Sequence, residues 1–310
     1  RRLLAAIQHG LPLVPRPYAE IAAGLGVSEE KVVARLERLK QSGVVRRFGV
    51  VVRHHELGYG ANAMVVWDVP DDQAPALGRC LAGFDFITLC YRRPRRLPAW
   101  RYNLYCMIHG KTREEVLSNI EWMVSRCGLQ NLPHEVLFSR RRFKQCGAVY
   151  GRKPQAESLK LMSMDATDRK IVNALQGGFP ISARPYAEVA ATLGLTEDEL
   201  IAHLTRLLAD GVLTRFGPLY HAERLGGALT LAAMKVPERD FDRIAALVNA
   251  HPEVAHNYER RHEFNMWFVL ATETPQRITE VIGEIGKATG YPVYNLPKLE
   301  EFFVGLRFEA

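Results

Sequence analysis

Between Val254 and Phe268 the chain reads V-A-H-N-Y-E-R-R-H-E-F-N-M-W-F, which crowds His256, Tyr258, Arg260, Arg261, His262, Asn265 and Trp267 into one short stretch. The pattern predicts two strands meeting at a tight, charged turn around Glu259–His262. A hairpin needs only a few apolar positions to pack, so this load of ionisable and aromatic groups exceeds what folding requires. A flat, acidic, aromatic ligand would suit it. Rings stack on such a ligand, arginine forks bind its carboxylates, and histidine transfers protons. The competing reading is a sheet edge with solvated charges and ordinary cross-strand aromatic pairs. Spacing alone weighs the two readings evenly.

An internal repeat sets the elements that must position this stretch. Arg16–Gly49 matches Arg184–Gly217 at 19 of 34 positions without a gap, at an offset of 168. Each copy opens with a helix (Arg1–His9; Asp168–Gln176) and a short second helix ended by Gly26 or Gly194. A third helix is capped by Ser28 or Thr196 and closed by Gly43 or Gly211. A strand-like wing carrying R-F-G follows, which makes each module a winged helix-turn-helix.

The remainder of each copy reads strand, helix, strand, strand, helix, strand, the order of a ferredoxin-like α/β sandwich. The predicted fold class is therefore α+β, two tandem copies of winged helix-turn-helix plus ferredoxin-like domain. The predicted boundaries are 1–53 and 54–150 for the first copy, 151–164 for a polar linker, and 165–221 and 222–310 for the second copy. Carried back, the offset sets Arg1 against Arg169, so the first copy is expected to have lost a few N-terminal residues. The copies differ at the hairpin. From Tyr91 to Asn103 the first inserts five residues and fills the loop with Arg92, Arg93, Arg95, Arg96 and Arg101.

The 310 residues are 47% hydrophobic and 24% charged, the balance of a soluble globular protein. No run approaches the ~18–20 apolar residues of a membrane span, and no secretory signal opens the chain. Five cysteines without a C-x-x-C pair argue against a disulfide framework and a structural zinc site, and point to a reducing cytoplasm. A net charge of +7 and a pI near 9.2 suggest an anionic partner, either nucleic acid or a polycarboxylate.

The module order, together with D-A-T-D-R-K-I-V-N-A-L-Q at Asp165–Gln176, resembles the Lrp/AsnC family of amino-acid-responsive regulators. A narrower resemblance rests on His256–Phe268, Y-N-L-P-K-L-E-E-F-F at Tyr294–Phe303, Cys90–Gly110 and N-L-P-H at Asn131–His134. These look like the siroheme decarboxylases, in the fused NirDL-type form. The resemblance implies removal of CO2 from the C12 and C18 acetates of siroheme, giving 12,18-didecarboxysiroheme on the route to d1-type heme. It implies no cofactor beyond the iron tetrapyrrole substrate. Implied partners are siroheme, a second copy of the fused chain, or other proteins of the heme d1 route.

The residues favour that reading over DNA binding. A recognition helix must meet phosphates with Lys or Arg, yet Thr196–Gly211 carries Glu197, Asp198, Glu199 and Asp210 against Arg206 and His203. DNA binding is read as vestigial; a transcription regulator and a non-catalytic tetrapyrrole carrier or sensor are the alternatives. Siroheme's eight carboxylates call for arginine forks, and the candidates are Arg47, Arg215, Arg92, Arg93, Arg96, Arg260 and Arg261. Arg140, Arg141 and Arg142 read better as a solvated basic face. For proton transfer the candidates are His256 and His262, assisted by Tyr258, their ordinary pKa lying near neutrality. Asn265, Trp267 and His109 are placed with the substrate. One histidine as an axial ligand to the substrate iron stays open; a protein-held metal site is not expected.

Overall fold

The computed structural model describes residues 2–8, 10–52, 58–145 and 164–305. Cys146 and all but the last residue of the predicted linker lie outside the described residues, as do the predicted boundaries at 53/54 and 150. The first copy folds as α1 (Arg2–Ile7), α2 (Pro17–Leu25), α3 (Glu29–Gln41), β1 (Val45–Val52), β2 (Ala61–Trp67), α4 (Ala74–Leu81), β3 (Ile87–Arg92), β4 (Leu104–Gly110), α5 (Arg113–Cys127) and β5 (His134–Gln145). The second follows with α6 (Ala166–Gly177), α7 (Pro185–Leu193), α8 (Glu197–Ala209), β6 (Leu213–Tyr220), β7 (Ala228–Met234), α9 (Phe241–Ala250), β8 (Val254–Arg260), β9 (Met266–Thr272), α10 (Pro275–Thr289), β10 (Tyr294–Pro297) and β11 (Glu300–Val304). The chain gathers these by type into two compact units, one of both helix-turn-helix modules and one of both ferredoxin-like domains.

In the helix-turn-helix unit the two wings pair as an antiparallel ribbon, β1 with β6. Each module's tyrosine reaches into the other: Tyr18 Oη donates to Pro180 O (2.9 Å) and Tyr186 Oη to Pro12 O (2.7 Å). The glycine of the repeated R-F-G is required by close approach. A Cβ on Gly49 would lie 2.3 Å from Leu175 O, and one on Gly217 would lie 3.0 Å from Gly10 Cα. Asp165 caps α6 in a reciprocal box with Asp168, and Asp168 also takes His203 and Arg206 from α8. The one acidic and histidine cluster among the described residues is thus a satisfied cap and ion pair.

The ferredoxin-like unit holds a nine-stranded sheet in the order β10-β7-β9-β8-β5-β2-β4-β3-β11. The sequence predicts one strand over Val293–Gly305, but two are observed. β10 pairs with β7 of its own copy, whereas β11 crosses to β3 of the other. Reciprocally, β5 pairs first with β2 and then runs on to pair with β8. Since β10 and β11 lie at opposite ends of the order yet are consecutive in the chain, the sheet closes on itself covalently.

Alternation along the strands sorts side chains between two faces. Ala63, Val65, Trp67, Cys90, Leu104 and Cys106 pack with α4 and α5, and Ala232, Met234, Met266, Phe268 and Leu270 with α9 and α10. The opposite face brings both copies together in one cluster: Met64, Val66, Trp100, Tyr105 and Leu137 with Ala233, Phe264, Trp267 and Leu296. The two half-sheets therefore pack face to face as well as edge to edge.

Contrary to the cysteine count, Cys80 of α4 and Cys127 of α5 form a disulfide. The two helices lie side by side on one face, which brings residues 47 apart to a Cα–Cα distance of 6.0 Å, a proximity that sequence spacing cannot reveal. Closing a loop of that length stabilises by about 4 kcal/mol in the chain-entropy model. Urea unfolding with and without reductant should show a loss of that order. Coincident curves would mean that the bridge adds nothing.

Candidate active site

The two hairpins are held open by the same device. Asn265 accepts from Val236 N (3.0 Å) and donates to Val236 O (2.7 Å); Asn103 does the same with Val69, both at 3.0 Å. Backbone bonds then fix Arg260 N to Asn265 O and Arg93 N to Asn103 O, each 2.8 Å. Asn265 is thus a clamp with its amide consumed, not a ligand group. Trp267 is likewise core: it is buried and donates Nε1 to Phe264 O (2.6 Å), with its ring 5.1 Å from Trp100.

The clamps aim a pair of arginines across the junction. Arg260 of the second copy donates to Leu137 O of the first (2.7 Å) and contacts Met107 Sδ (3.6 Å). Arg93 of the first copy donates to Leu296 O of the second (2.6 Å). Leu137 and Leu296 occupy equivalent places, beside Met64 and Leu231. Each guanidinium lies near the tyrosine two residues before it, Arg93 4.9 Å from Tyr91 and Arg260 5.9 Å from Tyr258. Arg260 is buried and Arg93 half-buried; each keeps a buried, unbonded Nε, and neither has a carboxylate partner among the described residues. Desolvation pushes both down, Arg260 to about 10. Burying an unpaired cation is costly.

A bulge after Val254 sets His256 opposite Val269, while Asn257 turns to the helix face and bonds Asn249 (3.0 Å). His256 and Tyr258 therefore share the face that meets the other copy, their rings 6.4 Å apart. His256 Nδ1 is buried with no hydrogen-bond partner. Desolvation, and then the Arg142 charge, lower its pKa to about 4, so the imidazole of the free protein is neutral at pH 7. Burial raises the Tyr258 phenol, which stays protonated. The expectation of near-neutral histidines is thus overturned by desolvation.

That shift has a measurable sign. Unfolded, His256 takes a proton near pH ~6.5; folded, it does so only near 4. Its contribution is fully present above pH ~6.5 and is lost as pH falls through that window, because the unfolded chain binds the proton first. The span is on the order of 3 kcal/mol. Urea unfolding between pH 4 and 7 should show a shallower acid slope in His256→Phe than in the wild type, and parallel slopes would contradict the shift.

His262 does not join His256. Four strand steps from His256 to Arg260 already span ~13 Å, and His262 lies beyond, at the turn. There its Nδ1 accepts from Phe264 N (2.9 Å) and its ring packs edge-on to Trp100 at 5.6 Å. Burial lowers its pKa also. Arg261, at the same turn, is exposed.

The inserted loop of the first copy uses its cations internally. Arg92 pairs with Asp71 (2.9 Å), Arg95 with Asp68 and Asp71, and Arg101 with Asp68 (2.7 Å). Arg96 donates to Asn295 O (2.6 Å) and exchanges backbone bonds with Trp100. What the insertion delivers is Trp100, a plug between the half-sheets. His109 is buried, with Nδ1 3.1 Å from Thr88 Oγ1. Arg47 and Arg215 belong to the helix-turn-helix unit. There Arg215 donates to Pro218 O (2.6 Å) near Tyr220, Arg47 Nη1 is buried and unbonded, and desolvation lowers both.

Strand register also equates the copies position by position. His256–Val269–Leu231 corresponds to Leu89–Met107–Met64, and Leu229–Ala271 to Asn62–His109. Each copy therefore retains a histidine where its twin has an apolar residue. The register of Arg142 beside Tyr258 comes from pairing between copies and has no local signal.

Fold and site together define a tandem protein of Lrp/AsnC type. The model of the AsnC-like ligand binding domain matches residues 56–144 and 224–302, more than half the chain, and that of the siroheme decarboxylase NirDL-like HTH domain matches 1–46 and 168–213. The siroheme decarboxylase NirG subunit of Paracoccus pantotrophus is 56% identical over 154 residues, covering 50% of this chain and 98% of that one. The chain belongs to the siroheme decarboxylase family. The crystal structure of the siroheme decarboxylase NirDL superposes with a TM-score of 0.69 at 21% identity, over 100% of this chain and 94% of that one, which establishes the shared fold. A second structure of NirDL, in complex with an iron-uroporphyrin III analogue, gives 0.68 at 20% identity, with the same coverage.

Proposed function

We propose that this protein removes CO2 from the C12 and C18 acetates of siroheme, giving 12,18-didecarboxysiroheme on the route to d1-type heme. The observation that carries this reading is the pair Arg93 and Arg260. They are desolvated cations at equivalent positions, Arg260 buried and Arg93 half-buried, each lacking among the described residues an anion that a polycarboxylate would supply. Each decarboxylation converts R–CH2–COO⁻ and one proton into R–CH3 and CO2. The macrocycle takes up the electron density left on the methylene carbon, so the reading needs no added cofactor.

His256 supplies the proton, and the Tyr258 phenol hydrogen-bonds or stacks beside it. A neutral imidazole is a poor acid, but a substrate carboxylate arriving beside it raises its pKa. Substrate binding thus loads the proton that the reaction consumes. His109 stands in the first copy at the place of Ala271, not of His256, and is the second candidate proton donor. His262 we assign to packing against Trp100. The acidic first turn of α8 (Glu197, Asp198, Glu199) supports no role on DNA. No helix among the described residues is long and apolar enough to cross a membrane; the Cys80–Cys127 bridge removes the cysteine argument for a cytoplasmic site, and the fused chain supplies both halves of the site.

Anaerobic incubation with siroheme, followed by mass analysis of the extracted tetrapyrrole, tests the activity. Loss of two CO2 is expected. Siroheme bound but unchanged in mass would make the protein a carrier, and failure to bind would overturn the reading.

A further inference from the structure

Arg140, Arg141 and Arg142 are consecutive, but the strand separates them. Arg141 faces α9, pairing with Glu259 and with Asp242 (2.8 Å), and Arg140 also pairs with Glu259 (3.0 Å). Arg142 stands directly opposite Tyr258, and Gln145 opposite His256. Directly opposed residues of an antiparallel pair project to the same face. Arg142 therefore comes from the first copy onto the face that carries His256 and Tyr258 of the second, and its charge acts on both groups.

The twin position shows what this placement distinguishes. There β11 crosses to β3, setting Glu301 opposite Tyr91 and Val304 opposite Leu89. One end of the junction thus combines histidine, tyrosine and arginine. The other combines leucine, tyrosine and glutamate, with Glu301 2.9 Å from Lys298. Both ends also hold an arginine two residues beyond the tyrosine, Arg260 and Arg93, but only the first adds a cation opposite the tyrosine where the second sets a carboxylate, so an anionic group beside the tyrosine is favoured at the first.

We propose that Arg142 is a substrate-binding residue supplied across the copies, which holds a siroheme carboxylate beside His256 and selects that end of the junction over its twin. This rests on the siroheme reading given above. The carboxylate it holds is a neighbour of the reacting acetate rather than the acetate itself. An ion pair to the reacting group would stabilise the ground state more than a transition state that is losing CO2. Arg142 therefore governs KM and leaves kcat nearly untouched.

Steady-state decarboxylation of siroheme by the full chain tests this. Arg142→Ala should raise KM tenfold or more with kcat within about threefold, Arg142→Lys should recover part of the loss, and Arg142→Glu should raise KM further. An active wild type whose KM is indifferent to Arg142→Ala would overturn this assignment and leave the siroheme reading standing. So would a fall in kcat and stability at constant KM, which would show that Arg142 only pairs the strands. If the wild type leaves siroheme unaltered, the function and this assignment both fall.

Discussion

His256→Ala should abolish most decarboxylation, lowering kcat by about 10²–10⁴, the usual worth of a positioned general acid. KM should change little, because the imidazole is neutral in the free protein and contributes little to holding an anion. The expectation comes from the burial of Nδ1 without a partner and from the bulge that turns the side chain to the junction between copies. Single-turnover kinetics under anaerobic conditions would read the effect directly. A variant that turns over at wild-type rate would remove His256 from the chemistry and shift attention to His109 of the other copy.

Arg260→Met should separate binding from folding. A structural cation would take stability with it when removed. Here the guanidinium is desolvated and, among the described residues, offset by no carboxylate; it meets Leu137 O, Met107 Sδ and the Tyr258 face. Replacing it with an apolar side chain forfeits one hydrogen bond worth about 1 kcal/mol and relieves a larger desolvation cost. The variant should therefore be equally stable or up to ~2 kcal/mol more stable, while siroheme affinity falls ten- to a hundredfold. Urea unfolding and a spectrophotometric siroheme titration measure the two. Loss of ~3–5 kcal/mol with unchanged affinity would make Arg260 a packing residue.

The architecture could be read from the chain because duplication displays each module twice and because glycine punctuation and apolar period mark the same elements in both. Closure of the nine-stranded sheet could not. It depends on Lys298 and Leu299 letting one predicted strand serve two partners, and on β5 running past its own sheet, neither of which has a local signature. The hairpin's density of ionisable and aromatic residues is legible, but the sorting of those residues is not. Asn265 and Trp267 carry the same residue types whether they clamp and pack or bind a ligand, and only their contacts decide between the two. The same holds for Arg92, consumed by Asp71, and for His262, six residues from His256 in sequence yet beyond the strand's end. Arg140, Arg141 and Arg142 are all exposed, as the run suggests; that Arg142 stands opposite Tyr258 has no local signal, because its partner strand belongs to the other copy. Cys80 and Cys127 were equally opaque, since helix packing alone brings them together.

The most direct measurement is the mass of the tetrapyrrole after anaerobic incubation of the protein with siroheme in D2O. Decarboxylation with protonation at the released methylene predicts loss of two CO2 and one non-exchanging deuterium in each of the two new methyl groups. Siroheme recovered at its starting mass, with no deuterium fixed at those carbons, would contradict the assignment of this fold and site to siroheme decarboxylation.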